Sequence, residues 1–178
     1  MPTSALHPRI REVISALTEA QREMEVCCAD ITPEQELRRI GDGWTVAQVV
    51  EHIAVVDGGA GRIVSNIAKQ VAAVPETSDD PVASSLDRYR VPDPSFRKVV
   101  APEMVRPMSG APVAESAARA RESRARLIAA LEAASGTALG GAHFPHPIFG
   151  PLDGYQWALL AAQHQRRHLV QIRTILAS

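Results

Sequence analysis

The chain has 178 residues, 46% of them hydrophobic, enough for one domain, spanning 1–178, with a substantial core. Nineteen basic residues stand against twenty acidic ones, a formal net charge of -1, and no nucleic-acid-binding motif appears, so a nucleic-acid partner is not expected. No apolar run is long enough to cross a bilayer, and the polar stretch from Met1 to Arg9 lacks a signal-peptide core. A cytoplasmic protein without a membrane partner is the expectation.

Apolar spacing predicts a first helix from about Pro8 to Ala29, with Ile10, Val13, Ile14, Leu17, Met24 and Cys28 (or Cys27) facing inward. Pro8 suits an early helical position, where no amide donor is needed. Cys27 and Cys28 are adjacent and form no ordinary structural crosslink; they read as buried helix positions rather than reactive thiols. Thr32-Pro33 caps a short helix to about Arg38, and Gly41-Asp42-Gly43 breaks the chain. The second long helix opens at Trp44-Thr45, where Thr45 and Gln48 have the spacing of a capping box. It carries Val49, Ile53, Val56, Ala60, Ile63, Ile67 and Val71, and His52 falls on the same face. Gly58, Gly59 and Gly61 interrupt it at roughly 1 kcal/mol each relative to alanine. Close packing, a kink or room for a ligand would each account for them.

From Pro75 to Pro112 the periodicity dissolves, and seven of the thirteen prolines fall there. A connection this long is often functional. A short helix is expected near Ser84 to Tyr89. Arg88, Tyr89, Arg90, Phe96 and Arg97 are candidates for a pocket mouth, the alternative being a surface crossover with solvated charges. The third long helix covers about Val113 to Ala134, with Leu127, Ile128 and Leu131 inward and Arg119, Arg121, Glu122, Arg124 and Arg126 as the wet face. His143 to Pro151 reads as a rigid apolar turn, with His143 and His146 as turn residues; roles as spare ligands or substrate contacts stay open. Asp153 with Gln156 caps a fourth helix that runs to about Ala177. No strand and no internal repeat is predicted. The fold class is therefore all-α, a four-helix bundle. The long Pro-rich connection between helices two and three permits an up-down-down-up arrangement.

His164 and His168 are four apart on the last helix, about 6 Å between Cβ atoms. Both interrupt the stripe Trp157, Leu160, Ala161, Ile172 and Ile175. Two such imidazoles hold a divalent metal or serve as core histidines with hydrogen-bond partners. Bundle sites are built from facing helices, so His52, His164 and His168 form the natural trio. Three neutral imidazoles suit zinc or nickel and leave a position for water or substrate. A metal there lowers the pKa of bound water or binds a thiolate. A zinc-protease reading fails, because HExxH needs a glutamate where this chain has Gln165; Glu51 lies on a neighbouring face. Gln171, one turn past His168, is a candidate second-sphere contact or an ordinary helix-face residue. Trp44 and Trp157 are assigned to packing.

Several of these segments, in this order, resemble the DinB-like, YfiT-type family of metalloenzymes: Gly43-Trp44-Thr45, Glu51-His52-Ile53, His146-Pro147-Ile148-Phe149-Gly150-Pro151-Leu152, Gln156-Trp157, and His164-Gln165-Arg166-Arg167-His168-Leu169-Val170-Gln171-Ile172. Together they span nearly the whole chain. The resemblance implies an up-down-down-up bundle, a homodimer, and a metal site on His52, His164 and His168. Better-understood relatives are S-transferases or isomerases that use bacillithiol or mycothiol. A thiol S-transferase acting on a small-molecule electrophile is then the first expectation, with a metal-assisted hydrolase or a non-enzymatic metal-binding bundle as alternatives.

Overall fold

The computed structural model describes residues 6–82, 85, 86, 89, 91, 93 and 100–178. Arg88, Arg90, Phe96 and Arg97, offered above for a pocket mouth, lie outside the described residues, as does part of the short helix expected near Ser84 to Tyr89. Helix α1 (Pro8–Cys28) buries Ile10, Val13, Leu17, Ala20 and Met24, one edge at helical spacing. The single turn α2 (Pro33–Glu36) follows. Helix α3 (Val46–Gln70) opens on the expected capping box: the Gln48 amide donates to the Thr45 hydroxyl at 3.2 Å, and the Thr45 amide to the Gln48 side chain at 2.9 Å. Helix α4 covers Val113–Ala133. Helix α5 (Gly154–Ala177) starts with the same device, built from Asp153 and Gln156. None of the described helices is long and apolar enough to cross a membrane.

Contacts fix the helix directions. Ala20 of α1 meets Gln165 of α5, and Arg9 lies 4.3 Å over the Tyr155 ring, so these two run parallel. Asp57 meets Arg124, and Gly61 lies beside Leu127, so α3 and α4 also run parallel. The start of α5 abuts the end of α3, where a Cβ on Gly154 would stand 3.1 Å from Ile67 Cγ2 and 3.2 Å from the Leu139 carbonyl. Glycine is what allows that approach. Arg121 of α4 reaches Glu25 near the end of α1. The result is the up-down-down-up four-helix bundle. Gly58 and Gly61 line the α3–α4 seam, where added Cβ atoms would lie 3.5 Å from Ser123 Oγ and 3.7 Å from Leu127 Cβ; Gly59 faces open space. These are ordinary van der Waals separations, so a Cβ would fit at all three positions and close packing does not explain the glycines.

Two expectations need correction. The segment after α4 is not turn alone: β1 (His143–His146) pairs antiparallel with β2 (Gly150–Asp153), Pro145 opposite Pro151. A two-stranded ribbon is all edge, where proline's missing donor is tolerated, and Gly150 at φ 77 suits its tight end. Trp157 Nε1 ties the hairpin to α5 by donating to the Phe144 carbonyl at 3.1 Å. The second correction is Arg124. Arg119, Arg121, Glu122 and Arg126 are exposed as expected, but Arg124 is 1% exposed. It shares the inner row with Ala120, Leu127 and Leu131, and it pairs with Asp57 at 2.8 Å. It also donates to the Gln165 side-chain oxygen, and Gln165 Nε2 donates to the Ala20 carbonyl at 2.6 Å. One buried polar chain therefore touches all four long helices.

Candidate metal centre

His52 sits in the second turn of α3 and faces α5. There the i, i+4 spacing places His164 and His168 on one side. The ligand nitrogens of all three lie within 4.8 Å of one another. His164 Nε2 is 3.2 Å from His52 Nε2 and 3.1 Å from His168 Nε2. His52 is buried, and the α5 pair is half-buried. Burial disfavours the charged form of each ring. It pulls His168 down to about 3 and His164 well below the usual histidine range. His52 is also lowered by burial, against the pull of the Val105 carbonyl.

The tautomers follow from the outer contacts. His52 Nδ1 lies 2.6 Å from the Val105 carbonyl, and His168 Nδ1 lies 2.8 Å from the Gln171 side-chain oxygen. Both partners accept, so both rings carry their proton on Nδ1 and turn an Nε2 lone pair toward His164. His164 has one proton at most to share between two facing lone pairs, and its Nδ1 is buried without a partner. One nitrogen–nitrogen contact is therefore repulsive unless a cation stands between the rings. On a tetrahedral ion with bonds of 2.0–2.1 Å, ligand nitrogens stand about 3.3 Å apart. The donor set and its spacing thus fit a divalent metal. Of the two roles open to Gln171, the structure shows its side-chain oxygen turned to His168 Nδ1.

What the sequence reading missed is the role of the long connection. Val105 lies in a 3₁₀ turn, Glu103–Val105. The chain just beyond that turn is held by Glu51, the residue before His52. The Glu51 carboxylate accepts from the Met108, Ser109 and Gly110 amides and from the Ser109 hydroxyl, at 2.8–3.2 Å. Burial opposes its charge, but these bonds outweigh it and keep the carboxyl below its ordinary range. Glu51 is thus a strap for the loop that orients His52, rather than a spare base. Gln165, at the HExxH glutamate position, points into the core. A pair such as Glu51-His52 signals this only once the loop's path is known.

Trp44 packs its ring 4.8 Å from His52. His143 is exposed at the base of the hairpin, in register with Asp153, and takes no part in the centre. His146 sits at the tip, its ring 4.7 Å from Phe149 and 5.1 Å from Trp157. Of the pocket-mouth candidates, Tyr89 reaches the same tip: its hydroxyl donates to the Phe149 carbonyl at 3.2 Å. Cys27 and Cys28 pack partly buried against the lower core, and burial raises both thiols, Cys28 to about 12. Neither has the lowered pKa of a reactive cysteine.

The model of the DinB superfamily matches residues 16–172, a span that includes all three histidines and the hairpin. One relative is the uncharacterized protein YuaE of Bacillus subtilis (strain 168). It is 26% identical over 136 residues, 74% of this chain and 76% of YuaE. Among solved structures, that of TT2238, a four-helix bundle protein, aligns with a TM-score of 0.63 at 19% identity, covering 93% of this chain and 98% of TT2238. At that identity the likeness bears on the fold alone.

Proposed function

This chain belongs to the DinB superfamily, and from that premise we propose that it is a metal-dependent thiol S-transferase acting on small electrophiles. His52, His164 and His168 hold the ion, zinc or nickel by donor type. The observation that carries this reading is the convergence of three neutral Nε2 atoms, two of them fixed in tautomer by Val105 and Gln171. When bound, the ion supplies Lewis acidity that strips the proton from a coordinated thiol at neutral pH. The co-substrate is then a low-molecular-weight thiol of the bacillithiol or mycothiol kind.

Glu51 favours transfer over hydrolysis. A metal lowers the pKa of bound water only to about 7, so hydrolysis gains from a nearby base, and the carboxylate beside His52 spends its oxygens on the loop amides. No other described carboxylate falls in the histidine cluster. A thiol needs no such base. The test is a screen of thiols against electrophiles with zinc- and nickel-loaded protein. Metal-dependent conjugate formation, lost in His164→Ala, is the expected result. Ester or amide cleavage without thiol would move the assignment to a hydrolase. Metal uptake with no turnover of any pair would leave a binding bundle.

A further inference from the structure

The hairpin tip holds a histidine with one nitrogen committed. His146 Nδ1 accepts from two backbone amides, Ile148 at 3.1 Å and Phe149 at 3.3 Å. Those amides belong to the turn itself, so the ring cannot turn away without opening it. A neutral imidazole has one lone pair and one N–H. With the lone pair spent on Nδ1, the proton must sit on Nε2. This excludes His146 as a fourth neutral metal ligand, an option its sequence left open. It also excludes His146 as a base, because the nitrogen that would take a proton already faces two donors.

The ring is clamped, stacked at 21° on Phe149 and tilted against Trp157. Trp157 precedes His164 by two turns on the same face of α5. Through Trp157 the ring is fixed to the helix that carries His164 and His168. Burial holds it neutral, down to about 4. Its Nε2 is not among the buried atoms that lack a partner, and no described residue bonds to it. A fixed, uncharged N–H thus stands at the hairpin tip, against the helix face that carries His164, with no acceptor among the described residues.

We propose that the Nε2–H of His146 is a hydrogen-bond donor to a carbonyl or carboxylate oxygen of the bound substrate, making the hairpin tip the wall that selects it. This role rests on the metal-dependent reading above. It places His146 among the substrate-binding residues, acting through position and not through titration. The hairpin would then be needed for binding oxygen-bearing ligands while having no part in holding the metal.

Two measurements test it. Long-range proton–nitrogen correlation spectra of the metal-free protein report each histidine's tautomer; the expected result is His146 in the Nε2–H form from pH 7 to pH 5, and the Nδ1–H form would overturn the proposal. The second compares two probe thiols on the zinc-loaded protein by calorimetry. 3-Mercaptopropionate carries a carboxylate; 1-propanethiol, of matching chain length, carries none. Wild type should prefer the former by about five- to tenfold, the worth of one hydrogen bond. His146→Phe should abolish that preference with zinc content unchanged, and His146→Gln, which keeps a donor, should retain part of it. Normal zinc uptake with equal affinity for the two thiols in wild type would refute the His146 assignment alone. Failure to take up zinc would instead remove the metal-dependent reading on which it stands.

Discussion

Replacing Arg124 by methionine should be among the most damaging single changes in this protein. Its partner Asp57 is fully buried, and Arg124 is 1% exposed. Removing the guanidinium leaves a carboxylate in the core with no cation, which costs about 3–5 kcal/mol. Gln165 loses its donor as well, and a buried unpaired carbonyl adds about 1–3 kcal/mol. A loss of about 4–8 kcal/mol is comparable with the whole stability of a marginal domain. In a thermal scan it would appear as a fall of roughly 10–30 °C. Urea unfolding of wild type, Arg124→Met, Asp57→Leu and the double variant measures it. The double variant should be more stable than Arg124→Met, since it buries no lone charge. The pH dependence has a definite sign. Burial pushes Asp57 up to about 6, against the pull of Arg124. Its folded pKa therefore exceeds its unfolded one, the folded state binds more protons between the two, and stability falls as pH rises through that window. Without Arg124 the rise is larger, so Arg124→Met should recover stability on going from about pH 7 to about pH 5. A loss under about 1 kcal/mol at pH 7, or strict additivity in the double variant, would refute this account of the network.

Three further outcomes are expected. Gln171→Leu should leave the fold intact and weaken metal affinity about 10–100-fold, because His168 loses the acceptor that sets its tautomer; competition with a chromophoric chelator reads it. Glu76 accepts from Tyr155 at 2.7 Å and Arg9 at 2.8 Å; burial opposes its charge, but these bonds keep its carboxyl below the ordinary range. Its contribution is present above the unfolded pKa and lost as pH falls through the folded one, so denaturation curves of Glu76→Gln should lie below wild type at neutral pH and converge with it in acid. Gly154→Ala should cost about 1–3 kcal/mol by circular-dichroism melting, since its Cβ would press on Ile67 Cγ2 and the Leu139 carbonyl.

How much of this the sequence disclosed follows from the range of each interaction. The capping boxes at Thr45 and Asp153 are complete within four residues, so spacing alone revealed them. The His164–His168 pair is likewise a local helical fact, and His52 declared itself by interrupting an apolar stripe on another helix. The partners of these histidines divide the same way. Gln171 is three residues from His168 and was visible. The Val105 carbonyl is fifty-three residues from His52 and is delivered by a connection without periodicity. Glu51 failed for that reason too, because its four donors sit on that connection. Arg124 misled by type: its charge outweighed its place in the row of Ala120, Leu127 and Leu131. The prolines of the hairpin argued against strands, and only the pairing of two open edges makes them harmless.

The account stands or falls on whether three imidazoles hold one ion. Elemental analysis of protein purified without nickel resin, compared with His52→Ala, His164→Ala and His168→Ala variants of matching helical content, measures this directly. Stoichiometric zinc or nickel in the wild type, lost in every variant, is the predicted result. Full metal content in His52→Ala would contradict it, because the ion would then be held without the helix that closes the site.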